Sequence, residues 1–275
     1  MPELPEVEST ARSLRPRLLG RRVACVGGVD WPRMLPNTSE EELQQLVVGL
    51  AVENVDRRGK YLLIGFEDDL WLAVHRKMSG NLLLRAGDAA PEKHTHLEIG
   101  LDDGSLLRFV DARKFGRVYL FHSRLELDAF IAARLGPEPL SEFDLRALVG
   151  KRRGRIKSLL LDQAFLAGVG NLYADEALWV AKVHPLRSAD TLSKREVQRL
   201  GEAIKQVLTL GIERRGTSFS TYRDSDDLPG DNQSFLNVYG RESQPCPRCG
   251  RPIKRVLIAQ RSAHFCSYCQ KLKHA

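Results

Sequence analysis

Two groups of residues in this 275-residue chain have the type and spacing to do chemistry. The first is four cysteines in two pairs, Cys246-Pro-Arg-Cys249 and Cys266-Ser-Tyr-Cys269, with sixteen residues between the pairs. Each short knuckle lets two thiolates meet one ion, and the stretch between them is long enough for a β-hairpin that closes the pairs around a tetrahedral zinc. Disulfides are the competing reading. The opening MPELPEVEST has glutamates where an export signal needs a basic start and an apolar run, so the chain is expected in the cytoplasm, where thiols stay reduced. Four thiolates leave no position open for water, so one structural zinc per chain is expected, with His264 as a minor alternative ligand. Cys25, alone in an apolar stretch, reads as a packed core residue.

The second group lies at the start of the chain. Loss of Met1 ahead of a small second residue exposes Pro2 as a secondary amine, and an α-amine titrates near about pH 8, so part of it is unprotonated and nucleophilic at neutral pH. An N-terminal proline alone carries little weight. Glu3 and Glu6 beside it add carboxyl groups able to move a proton to a leaving group.

Charge points to a polyanionic partner. The net charge is +7, and residues 236–275 hold eight basic side chains (Arg241, Arg248, Arg251, Lys254, Arg255, Arg261, Lys271, Lys273) against one acid, Glu242, which matches the whole excess. A second basic run, Lys151-Arg152-Arg153-Gly154-Arg155-Ile156-Lys157, has five cations in seven residues. One such run reads as a solvated face, but two, one of them beside a metal motif, favour nucleic acid. No apolar run approaches the roughly 20 residues that span a bilayer, so no membrane partner is expected.

These residues need a scaffold. Val7, Ala11, Leu14 and Leu18 recur at helical spacing before Gly20. Residues 21–30, 60–75, 81–85, 95–110 and 117–122 read as short strands of a β-sandwich, and from about 125 the rhythm turns helical. Leu135-Gly-Pro-Glu-Pro-Leu140 marks a break between halves, and Ser141 is expected to cap the helix after it. Ser193 and Glu196 predict a capping box at the start of a helix over 193–213. Residues 214–238 read as a polar, turn-rich and mobile loop.

The string Pro2-Glu-Leu-Pro-Glu-Val-Glu8 resembles the start of the formamidopyrimidine-DNA glycosylases, in the superfamily that includes endonuclease VIII. The likeness continues in order through Lys60-Tyr-Leu-Leu63, His75 to Gly80, Lys93-His-Thr-His96, Asp111-Ala-Arg-Lys-Phe-Gly116, Leu135 to Leu140, Ile156-Lys157, Leu160 to Gln163, Gly168-Val-Gly-Asn-Leu-Tyr-Ala-Asp-Glu176, Val238-Tyr-Gly-Arg241 and the cysteine pairs. It implies an α+β chain: an N-terminal catalytic β-sandwich domain with a leading helix (1–130), a helical helix–two-turn–helix DNA-binding domain with a lesion loop (131–235), and a C-terminal four-cysteine zinc-finger β-hairpin (236–275).

The implied activity is a bifunctional DNA glycosylase and AP lyase of base excision repair. It excises oxidised purines, 8-oxoguanine and formamidopyrimidines, through an imine on Pro2 and cuts the strand by β,δ-elimination. By the resemblance Glu3 donates a proton, Glu6 supports the site, Lys60 assists the first elimination and Arg261 the second. Met78, Arg113 and Phe115 match positions that fill the gap left by an everted base; without those motifs Met78 and Phe115 would read as sandwich core. His75, His94, Arg113, Arg152, Lys157 and Asn171 match DNA-contacting positions, with a satisfied core histidine as the other reading of His75. Tyr173, Glu176 and Tyr239 match supporting or lesion-facing positions. The partner is damaged double-stranded DNA bound by a monomer without a small-molecule cofactor.

Two departures stand out. Arg76 sits where the family more often has an apolar residue, and Arg215-Gly216-Thr217-Ser218 stands where a double glycine is usual, at the start of the lesion loop. An endonuclease VIII-like enzyme for oxidised pyrimidines is disfavoured by Leu4, Arg113 and Phe115. A non-catalytic zinc protein that binds DNA is disfavoured by Pro2, Glu3 and Lys60 occurring together.

Overall fold

The computed structural model describes residues 2–150, 152–219 and 222–272; Met1, Lys151, Ser220, Thr221 and Lys273, on which sequence expectations fell, lie outside them. The chain forms two compact units. One joins residues 1–133 with 214–231, and the other joins 134–213 with 232–275. The division differs from the three-part expectation in two respects: residues 214–231 of the expected lesion loop group with the N-terminal half, and the cysteine hairpin groups with the helices instead of standing apart.

In the N-terminal unit, helix α1 (Leu4–Leu18) is followed by β1 (Val23–Gly27), α2 (Glu40–Val47), β2 (Val52–Arg58), β3 (Tyr61–Phe66), β4 (Trp71–His75), β5 (Asn81–Arg85), β6 (Thr95–Leu101), β7 (Leu106–Val110), β8 (Arg117–Phe121) and α3 (Arg124–Ala132). The strands make two four-stranded antiparallel sheets, ordered β1-β6-β7-β5 and β2-β3-β4-β8. Leu14 and Leu18 of α1, Leu62 and Ile64 of β3, and Leu107 and Phe109 of β7 belong to one continuous apolar core, so this is a sandwich with the leading helix packed into it. The apolar run at 60–75 is a hairpin rather than one strand, because Glu67, Asp68 and Asp69 form a polar turn between β3 and β4. Sequence patterning passed over α2, with its Ser39 cap, and β2, whose Val-Glu-Asn-Val-Asp-Arg-Arg stretch carries too many charges to read as a strand.

The C-terminal unit contains α4 (Leu145–Val149), α5 (Ile156–Leu161), α6 (Asn171–Val180), α7 (Lys194–Glu213) and the hairpin β9 (Lys254–Ile258) and β10 (Arg261–Phe265). The box at the start of α7 forms as expected: Glu196 N–H donates to the Ser193 hydroxyl oxygen at 3.3 Å, and the Glu196 carboxylate accepts from Ser193 N–H at 2.9 Å. Ser141 does not cap a helix. Its hydroxyl donates to the Glu138 carbonyl, and Asp144, one residue before α4, accepts from Arg146 N–H instead. No helix among the described residues is long and apolar enough to cross a membrane.

Candidate active site and nucleic-acid interface

The first residues of a chain usually fray, yet Pro2, Glu3 and Glu6 are buried here. Glu3 caps α1 in a reciprocal capping box, with the Glu6 carboxylate accepting from Glu3 N–H at 2.7 Å. The other Glu6 oxygen accepts from Thr217 N–H at 2.8 Å, so one carboxylate ties the leading turn to the 214–231 segment. Gly216 is needed beside it: its φ is +80°, and a Cβ there would lie 2.8 Å from Glu6 Cγ. Arg215, where the family favours a second glycine, also adopts a left-handed φ of +58°.

Lys60 occupies the two-residue turn between β2 and β3. Gly59 supplies the positive φ that such a hairpin needs at its first central position. The turn is tied to α1 through Arg57, which donates to the Glu8 carboxylate at 3.0 Å and to the Gly59 carbonyl at 3.2 Å. Burial works against ionised Glu8, but hydrogen bonds from Arg12 and Arg57 and their charges hold it below the usual carboxylate range. Lys60 itself is only 5% exposed. Its charge acts on His75, which pairs with Tyr61 across β3 and β4. Burial, then the charges of Lys77 and Lys60, push the His75 imidazole down to about 3, so it is neutral at physiological pH and accepts from Lys77 N–H through Nδ1. Thus α1 and the β2–β3 and β3–β4 pairings gather Pro2, Glu3, Glu6, Lys60 and His75 on connected elements.

Met78 and Phe115 are 40% and 44% exposed, which rules out the core reading. Arg113 is exposed too, its guanidinium 4.8 Å from the Phe115 ring centre. Lys77 and Lys114, each one residue before the exposed Met78 or Phe115, and His94, also exposed, have left-handed φ values of +53°, +54° and +73°. Such strain persists only where surrounding contacts enforce it. The enforcing residue is Asp111, fully buried, a turn aspartate with no role legible from its motif alone. Its carboxylate accepts from the Ser79 hydroxyl and from the N–H groups of Arg113, Phe115 and Gly116. Its own N–H donates to the His94 carbonyl. One side chain thereby shapes the turns around Met78 and Phe115. Gly80 and Gly116 flank the Phe109 ring so closely that a Cβ would approach it to 2.8 and 2.2 Å.

In the C-terminal unit, Arg152 is exposed and lies over the Phe165 ring, and Arg261 is exposed at the start of β10. Between α5 and α6 the two turns are stapled by Gln163, whose amide donates to the carbonyls of Leu161 and Val169 and accepts from Gly168 N–H. Asn171 opens α6, where main-chain N–H groups suit an anion; its Oδ1 is buried with no hydrogen-bond partner among the described residues. Lys157 is not a surface cation. Its ammonium is fully buried, donating to Asp175 at 2.6 Å and to the Ser262 carbonyl, while Asp175 also accepts from His264 N–H at 2.9 Å. The basic run thus places Lys157 where it joins α5, α6 and β10, a role that periodicity alone could not separate from phosphate binding. Glu176 is equally structural: it accepts from the N–H groups of Asn237, Val238 and Tyr239. Tyr173 is buried against Gly211 of α7, and Tyr239 packs edge-on to His264.

The Sγ atoms of Cys246, Cys249, Cys266 and Cys269 lie within 4.8 Å of one another, a set that fits one tetrahedral zinc. Trp179 Nε1–H donates to Cys246 Sγ at 3.5 Å, and Cys246 and Cys266 pack with Trp179, Val238 and Ile253. Bound there, zinc supplies folding energy to the hairpin rather than chemistry.

Comparison with known proteins matches the same parts. Residues 1–118 match the formamidopyrimidine-DNA glycosylase N-terminal domain, 135–223 its H2TH domain, and 243–272 a zinc finger found in FPG and IleRS. Formamidopyrimidine-DNA glycosylases of Herpetosiphon aurantiacus and Chloroflexus aurantiacus are 46% and 44% identical, the alignments covering 98% of this chain and 100% and 98% of theirs. Lactococcus lactis Fpg in complex with an abasic site containing DNA has a TM-score of 0.91 at 36% identity, over 98% of this chain and all of that one. A Lactococcus lactis FPG variant with a Fapy-dG containing DNA is equally similar in structure, at 38% identity. With its matched N-terminal, helical and zinc-finger parts and relatives 44–46% identical over nearly its whole length, this chain belongs to the formamidopyrimidine-DNA glycosylase family.

Proposed function

We infer that the protein is a bifunctional DNA glycosylase and AP lyase of base excision repair, acting on oxidised purines in duplex DNA as a monomer with one structural zinc. The observation that carries this is the burial of Pro2 and Glu3 at the capped start of α1, where the Glu6 carboxylate holds the turn. The relatives are bacterial, which supports a cytoplasmic location on the chromosome.

In the reaction the unprotonated Pro2 nitrogen attacks C1′ of the damaged nucleotide. The glycosidic bond breaks, the base leaves with a proton, and the sugar ring opens to an imine on Pro2. Glu3 moves the proton and Glu6 fixes the turn. The imine acidifies C2′, so the 3′ phosphate leaves, and a second elimination releases the 5′ phosphate. Lys60 and, by family likeness, Arg261 stabilise charge on the departing phosphate oxygens. Met78 and Phe115 fill the vacated stack while Arg113 hydrogen-bonds the orphaned base. His94, Arg152 and Asn171 hold the backbone, and neutral His75 offers a hydrogen bond rather than charge. Lys157 acts by holding Asp175 and β10.

The test offers duplexes carrying 8-oxoguanine opposite cytosine, a pyrimidine glycol or an abasic site, with borohydride present. Cleavage and trapping fastest on the purine lesion among the two damaged bases is expected. Preference for the glycol would assign an oxidised-pyrimidine enzyme, and binding without trapping would remove catalysis.

A further inference from the structure

Arg76 is the residue whose type departs from the family's usual apolar side chain, and it is 1% exposed. A buried guanidinium persists only if its N–H groups find acceptors. Here the acceptors lie on three different segments. Nε donates to the Gly80 carbonyl at 2.7 Å, while the Arg76 carbonyl accepts from Gly80 N–H at 3.1 Å, so side chain and main chain both close the turn that carries Met78. Nη1 donates to the Thr10 hydroxyl at 2.6 Å on α1, one turn after Glu6. Nη2 donates to the Arg223 carbonyl at 3.1 Å and to Asn81 Oδ1, and that same Asn81 oxygen accepts from Arg223 N–H at 3.3 Å. The Tyr222 ring lies 5.1 Å from the guanidinium, and the Tyr222 hydroxyl donates to the Arg215 carbonyl at the start of the loop.

We propose that Arg76 is a positioning residue for lesion recognition. It locks the returning leg of the 214–231 loop to the wedge turn, with Thr10 of α1 as a fixed anchor, so that wedge and loop move together. The family's apolar residue could pack at this position but could not bond three segments. Leu84 N–H donating to the Ser225 carbonyl, and the Ser225 hydroxyl donating to the Ser13 hydroxyl oxygen, extend the attachment along the same leg. The proposal rests on the glycosylase reading above and adds a distinct consequence. A loop that holds an everted base matters only while a base is there to hold; at a preformed abasic site the lyase needs the Pro2 turn and the phosphate cations alone.

The test compares wild type, Arg76→Leu and Arg76→Lys under single-turnover conditions on an 8-oxoguanine duplex and on a preformed abasic duplex of the same sequence. Misplacement of a loop by about an ångström costs on the order of tenfold to a hundredfold. Arg76→Leu is therefore expected to lose excision by about that factor while abasic cleavage stays near the wild-type rate, with Arg76→Lys recovering part of the loss. Equal losses on both substrates, or no loss on either, overturn the proposal. Should Arg76→Leu fail to fold, Asn81→Ala, which releases Arg223 from the same clamp, must show the same split in smaller measure, and equal rates on both substrates again overturn it. Wild-type protein inactive on the lesion duplex would instead defeat the functional reading itself.

Discussion

The two units keep their functional loops in shape by different means. In the N-terminal unit the turns around Met78 and Phe115 and the 214–231 segment hang on buried polar side chains, namely Asp111, Arg76 and Glu6, set against a large apolar core. The C-terminal hairpin has only a small cluster of apolar neighbours around its four sulfurs, so the metal must supply what a core supplies elsewhere. A loop fixed by hydrogen bonds fails locally and by degrees when one bond is lost. A hairpin fixed by an ion fails as a unit.

Metal removal is the largest way to test that contrast. Structural zinc contributes about 10–16 kcal/mol of apparent binding free energy to folding, so verified metal-free protein should show fast hydrogen exchange across 244–272 and weaker binding to duplex DNA with a shallower salt dependence. The sandwich should exchange as before; loss of protection there would abolish the distinction between the units. Next in size, Asp111→Ala leaves three main-chain N–H groups and the Ser79 hydroxyl without their acceptor. Destabilisation of about 3 kcal/mol in urea melts is expected, with weaker discrimination of lesion from undamaged duplex. An unchanged melt would show that the wedge turns are shaped by something else.

The effect that is smallest near neutral pH is pH dependence. His75 accepts a proton near its ordinary 6.5 in the unfolded chain but only near about 3 in the folded one. The folded state therefore binds fewer protons, so its stability is full above pH 6.5 and falls as pH drops toward 3, by up to about 1.4 kcal/mol per unit. His75→Gln should flatten the stability profile across that window. An unaltered slope would mean that other groups set it.

Much of this was legible in the residues. Runs rich in Val, Ile, Leu, Tyr and Phe located seven of the strands, Ser193 and Glu196 marked the start of α7, and the cysteine spacing anticipated the sulfur cluster. What was missed depends on contacts distant in sequence. Asp111 looks like any turn aspartate until the Ser79 hydroxyl, 32 residues away, is brought to it. Lys157 sits in a basic run, and only folding reveals Asp175 and β10 around its ammonium. Ser141 lost the capping position to Asp144 because the helix begins three residues later than the break suggested. Arg76 was visible as an oddity of type, whereas its purpose required Arg223, 147 residues on.

The account stands most directly on where the sugar becomes attached. Borohydride-trapped protein–DNA adduct, digested and sequenced by mass spectrometry, should carry the deoxyribose remnant on the nitrogen of Pro2 in a peptide lacking Met1. A remnant on Lys60 or any other lysine, or the absence of a covalent adduct during active cleavage, would contradict it.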